Sequence, residues 1–174
     1  RVQLNSKGEI YALDGKQRRI VRLGSDGAFK GTLSFDGVPP PATIVPRSFK
    51  IDAADNVYVL DVFSARVLVL NPEGQFQKAL ALPADAGFVA DLAIDFAGNV
   101  LVVDSIKRRL YSAAKDATAF AALGGDLKDS LLSLATYLLA NRGTIFVVEG
   151  SGSSIVTFGR DGSFLARQLT EGWK

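Results

Sequence analysis

Short apolar runs recur along the chain at nearly even intervals. Ile10 to Leu13, Val57 to Leu60, Val100 to Val103 and Ile145 to Val148 each follow a polar turn and precede a polar loop. They are rich in β-branched and aromatic residues and only four residues long, which predicts strands covered on both faces rather than helices. The turns before them carry Gly8, Asp55-Asn56, Gly98-Asn99 and Gly143, types that accept tight-hairpin backbone angles. A further run follows each loop, at Ile20 to Leu23, Val67 to Leu70, Leu110 to Ala113 and Ile155 to Phe158. A second turn then appears at Ser25-Asp26-Gly27, Pro72-Glu73-Gly74, Lys115-Asp116-Ala117 and Arg160-Asp161-Gly162, and an outer strand opens near Phe29, Phe76, Phe120 and Phe164.

These elements form four copies of one unit. The segments starting at Leu4, Ile51, Ile94 and Leu139 align without gaps through their central part, and a shared acid at Asp14, Asp61, Asp104 and Glu149 recurs in steps of 47, 43 and 45 residues. A period of ~40–50 residues indicates propeller or solenoid units. Four antiparallel strands with two tight hairpins favour the propeller, because a sheet apolar on both sides must stack against others like itself. The reading is an all-β chain forming a single propeller domain over residues 1–174, with blades near 1–34, 47–82, 90–123 and 132–170.

The pattern I-D-x-x-G-N-V-Y-V-x-D, then R-[IV]-x-V-[FL]-x-x-x-G-x-F, resembles the NHL repeat. Ile51 to Phe76 carries it almost throughout and Ile94 to Leu110 nearly as fully. Blade four departs from it, with Glu149 for Asp and Ser154 where Arg19, Arg66 and Arg109 stand. The resemblance implies a six-bladed ring of which four blades are present here. The alternatives are a four-bladed ring and a ring completed by another chain. An open arc would expose two apolar blade faces. The resemblance also implies a bacterial, extracytoplasmic protein.

Composition narrows the chemistry. The 174 residues include no Cys and no His, which excludes disulfides, thiolate or imidazole zinc sites and a Ser-His-Asp triad within this chain. The net charge is +2, too small to point to nucleic acid. Arg1 to Lys7 is polar, no stretch approaches a membrane span, and the start at Arg1 reads as a processed or truncated terminus.

Two sets of residues stand out. Asp14 and Arg19, Asp61 and Arg66, and Asp104 and Arg109 flank equivalent loops and are expected to form structural ion pairs. The same loops carry Lys16, Arg18, Arg19, Phe63, Arg66, Lys107, Arg108 and Arg109, a basic face suited to a partner. That face implies a binding or scaffold module for another protein, without catalytic residues, metal or cofactor. The second reading is an enzyme like the lactonase-like members of the six-bladed class, with a channel metal and a site that needs further blades. The third is RNA binding, disfavoured because Phe63 is the sole aromatic in these loops.

Asn5, Asp52 and Asp95 share one position, broken in blade four by Ala140. They could ligate a hard cation, but the expectation is side-chain bonds to their own turns. The crossover from Asp36 to Arg47, with Pro39, Pro40, Pro41 and Pro46, should be stiff and extended. Gly124 to Ser130 could hold a helical turn capped by Asp126, and Trp173 could pack beside a following blade. Gly150 to Ser154 lies between two strands and does not read as a phosphate loop.

Overall fold

The structure, a computed structural model, describes residues 1–125, 134–150 and 154–169. The expectations for Asp126 and Trp173 lie outside them, as do residues 151–153. The described residues contain sixteen strands and no helix, so no helix is long and apolar enough to cross a membrane.

The strands gather in two compact units, Arg1–Leu82 and Pro83–Lys174. The first unit holds two four-stranded antiparallel sheets. One runs β1 (Val2–Leu4), β2 (Ile10–Asp14), β3 (Arg19–Leu23) and β4 (Phe29–Thr32), and the other β5 (Pro46–Ile51), β6 (Val57–Asp61), β7 (Arg66–Leu70) and β8 (Phe76–Ala81). The second unit repeats the plan. Its sheets are β9 (Val89–Ile94), β10 (Val100–Asp104), β11 (Arg109–Ala113) and β12 (Ala121–Leu123), then β13 (Ala135–Ala140), β14 (Thr144–Glu149), β15 (Ser154–Gly159) and β16 (Phe164–Leu169). In every sheet the strands lie in chain order, so each is a meander joined by short hairpins.

Strand register decides which side chains share a face. In the first sheet Tyr11 pairs with Arg22 and Leu13 with Ile20, placing these four on one side. That side packs on Phe49, Val57, Val59, Leu68 and Leu70 of the second sheet, with Leu33 closing the edge. The second unit does the same. Leu101, Val103 and Leu110 of the third sheet meet Leu138, Ile145, Val147, Val156 and Phe158 of the fourth. Two polar ties cross this junction: the Leu138 amide donates to the buried Asp91 carboxylate at 2.8 Å, and the Ser105 hydroxyl to the Ala135 carbonyl at 2.7 Å. On the opposite side of the first sheet Val2, Leu4 and Phe29 are exposed, as are Tyr137 and Leu139 on the fourth.

Blade four corrects the ungapped alignment. Elsewhere the first turn closes between residues four apart, Asn5 with Glu9, Asp52 with Asn56 and Asp95 with Asn99, but in blade four Asn141 closes on Thr144. The turn is one residue shorter, so the equivalent of Asp95 is Asn141 rather than Ala140. Its side chain accepts the Gly143 and Thr144 amides at 3.0 and 2.9 Å.

Phe158 is fully buried and meets Phe164 edge-on, at 6.3 Å between ring centres. Phe158→Ala is expected to lower unfolding free energy by about 3–5 kcal/mol in urea denaturation. Phe29→Ser, at a side chain 67% exposed, should change it by under about 1 kcal/mol.

Candidate functional site

The loops joining second to third strands begin at the repeated acid, and the acid organises them. Asp61 is fully buried. One carboxylate oxygen accepts the amides of Val45 at 3.0 Å and Phe63 at 3.2 Å, and the other accepts Arg66 Nε at 3.1 Å. A single side chain thus joins the strand end, the loop and the segment entering the blade. Asp104, also fully buried, accepts four amides, those of Gly87 (2.6 Å), Phe88 (3.1 Å), Ile106 (2.9 Å) and Lys107 (2.9 Å). Asp14 is more open and takes the Gln17 amide at 3.0 Å and Arg19 Nε at 3.3 Å. In blade four Glu149 is bonded by the Ser154 hydroxyl and lies 3.4 Å from Arg167, so the cation comes from β16 instead of β15.

The residue before each Arg takes a left-handed backbone: Arg18 at φ 54°, Ala65 at 47° and Arg108 at 52°. The three loops therefore share one tight geometry, held against a cost of about 1–2 kcal/mol per non-glycine residue.

These loops sort the expected basic face. Lys16, Arg18 and Arg19 are exposed in the first loop, and Phe63 is 58% exposed in the second. Lys107 is exposed and reaches Asp85 at 3.6 Å, while Arg108 and Arg109 are half-buried and both engaged. Arg66 does not belong to a partner-facing surface. It is 8% exposed, and beyond Asp61 its terminal nitrogens donate to the carbonyls of Pro39 and Pro41, each at 3.0 Å. The proline-rich crossover folds over Arg66 and consumes its donors. Sequence reasoning missed Ile106, which is 69% exposed. The available signal was its position, two residues after the acid, where blade two has Phe63.

At the other strand ends, Asn5, Asp52 and Asp95 bind their own turns. Asp52 accepts the amides of Ala54 and Asn56 at 2.9 and 2.8 Å, and Asp95 those of Ala97 and Asn99 at 2.8 and 2.9 Å. Burial, then the nearby Asp52 carboxylate, pushes the Tyr58 phenol up to about 12. Among the described residues no three acidic side chains converge as metal ligands. Neighbouring turns also clasp within the first unit. Asp55, at φ 64°, accepts the Ser6 hydroxyl at 2.6 Å and the Ser6 amide at 2.7 Å, and these bonds hold its carboxyl below the usual range.

Magnitudes separate the acids. Asp61→Asn keeps the shape but leaves a buried guanidinium without a counter-charge, and should cost about 3 kcal/mol in denaturant titration. Asp14→Asn, where the pair is solvent-screened, should cost a small fraction of that. The Asp55 clasp has a set pH sign: its folded pKa is depressed, so its contribution is complete above the ordinary aspartate value of about 3.9 and is lost as pH falls through the lower folded value. In Ser6→Ala, NMR titration should find the Asp55 pKa moved back up towards the ordinary value.

Comparisons with known proteins fall on the fold. No family model matches the sequence and no curated protein matches it. Solved structures do match. A streptogramin B lyase superimposes with a TM-score of 0.73 at 13% identity, covering 97% of this chain and 53% of its own. A nidogen–laminin complex matches at 0.76 and 17%, covering 97% and 62%. A catalytically inactive histidine-to-alanine variant of virginiamycin B lyase from Staphylococcus aureus, solved with quinupristin, matches at 0.70 and 12%, covering 98% and 55%. The chain therefore spans little more than half the length of these proteins. With its four four-stranded antiparallel sheets, it has the blades of a β-propeller.

Proposed function

We propose that this chain is an NHL-type propeller segment that binds another protein through its second-to-third-strand loops and carries no catalysis of its own. The supporting observation is a pairing of rigidity with exposed apolar tips. Asp61 and Asp104 fasten two loops from beneath with buried bonds, and the same loops present Phe63 and Ile106 to solvent. Exposed aromatic and aliphatic side chains on a fixed frame are the anchors around which protein interfaces form. Rigid loops also lower the ordering cost of association. Single-stranded nucleic acid would ask for several stacking aromatics, and these loops offer one. The resemblance to NHL repeats supports an exported bacterial protein as the setting.

Three structural neighbours are named as lyases, which keeps an enzyme as the second reading. One of them is inactive when a histidine is replaced, and this stretch of chain has no histidine. A lyase of that kind would need residues from outside it.

The test is site-specific photo-crosslinking from position 63 or 106, identification of the captured protein, and titration of that protein in purified form. Phe63→Ala and Ile106→Ala should each weaken binding about tenfold or more with an unchanged melting temperature. Affinity untouched by both substitutions, or tight RNA binding with a steep salt dependence, would refute the reading.

A further inference from the structure

At the turn ends of their strands, opposite the second-to-third-strand loops, the two units fill equivalent positions differently. In the first unit the side chains form a plug. Tyr11 and Arg22 are cross-strand partners, the Arg22 guanidinium lies over the Tyr11 ring at 5.4 Å, and its far end is 4.0 Å from Glu9. Lys30 secures Glu9 from the side at 2.9 Å. In the second unit the positions of Tyr11 and Arg22 belong to Leu101 and Ser112, again cross-strand partners, and Asn99 stands in place of Glu9. The smaller side chains leave a cavity of about 430 Å³ lined by all three. That volume falls within the ~300–1,000 Å³ of small-molecule sites.

The walls have a definite chemistry. Arg160, lining the cavity where blade two has Pro72, has no hydrogen-bond or ion-pair partner among the described residues. Next to it Asp161 uses one carboxylate oxygen for the Ser163 amide and hydroxyl, at 2.9 and 2.6 Å, and its other oxygen is bonded to no described residue. The Ser163 bonds hold the Asp161 carboxyl below its usual range, so it stays charged at neutral pH. A cation and an anion with spare bonding capacity thus sit side by side. Asn141 and Thr144 add an amide and a hydroxyl, and Leu101 and Ile145 add a buried apolar floor.

We propose that this cleft binds a free α-amino acid with an apolar side chain. The ligand carboxylate lies on the Arg160 fork, its ammonium on the open Asp161 oxygen, and its side chain over Leu101 and Ile145. Opposite charges on the wall match a zwitterion, where a simple anion would meet Asp161 and a simple cation would meet Arg160; Asp95, the second carboxylate of the lining, has its oxygens taken by the Ala97 and Asn99 amides and the Asn99 side chain. The cavity breaks the repeat, whereas the plug of the first unit is the purely structural solution to the same space.

The experiment is amide NMR titration of the full chain with L-leucine, isocaproate and isoamylamine, each up to about 20 mM. L-leucine should give saturable shifts at Asn99, Ser112 and Asn141, with both half-ligands weaker by about tenfold or more. Arg160→Gln, at an exposed position that leaves the fold intact, should weaken L-leucine by about tenfold. Ser112→Arg should remove binding by restoring the plug. No saturable shift with L-leucine, equal binding of a half-ligand, or L-leucine affinity unchanged in both variants would overturn the proposal. A response to D-galactose in place of L-leucine would overturn it as well.

Discussion

A four-stranded sheet with an apolar face must bury that face against another sheet, and the rest of each unit is arranged around that demand. The sheets meet through unlike faces. One presents Tyr11, Leu13 and Ile20, or Leu101, Val103 and Leu110 in the second unit; the other presents Phe49, Val57 and Leu70, or Leu138, Ile145 and Phe158. Each fully buried side chain of this size contributes about 1.5–3 kcal/mol. That force is non-directional and would tolerate sliding. The buried bond from the Leu138 amide to Asp91 is directional, because a shifted sheet would leave a carboxylate buried without its partner. Apolar area supplies the magnitude of the junction and the polar tie supplies its register.

Packed sheets leave the connecting segments with amides that water cannot fully serve, and the repeated acid serves them. Asp61 and Asp104 collect amides from the segment before the first strand and from the following loop. The ladder of the sheet is thereby extended by one side chain at the end where the chain changes direction. The consequence is functional as well as structural. A loop fastened from beneath can hold Phe63 or Ile106 in solvent without collapsing onto the sheet.

Much of this was legible in the chain because period, strand pattern and turn residues are local properties that a repeat states four times. The expected runs at Val57 to Leu60 and Val100 to Val103 fall inside β6 and β10, buried at every position. What escaped was non-local or lay below the resolution of a pattern. Arg66 reads as a surface cation beside an acid. Its burial depends on Pro39 and Pro41, about 25 residues upstream, bringing their carbonyls to it. The short turn at Asn141 shifts blade four by one residue, and a gapless alignment hides such a slip because Leu139 and Ala140 still look like strand. The cavity could not be read at all. It exists because Leu101 and Ser112 face each other where Tyr11 and Arg22 do, a pairing that only strand register reveals.

Blade four shows which part of the repeated acid-and-arginine pattern is the fixed one. There the acid is Glu149, one methylene longer, the third strand offers Ser154, and the guanidinium arrives from Arg167 on the fourth strand. In blade three four backbone amides converge on Asp104. In blade one the pair with Arg19 stands half in solvent, where it is worth little. The donors change from blade to blade while a carboxylate persists at the strand end. In blades two and three the segment entering the blade brings amides that need an acceptor at that point, and the carboxylate is that acceptor. The arginine is one of several ways to balance the charge this acceptor brings. That freedom let Arg66 be recruited to hold down a proline crossover and let Ser154 replace an arginine altogether, with the sheet beneath unchanged.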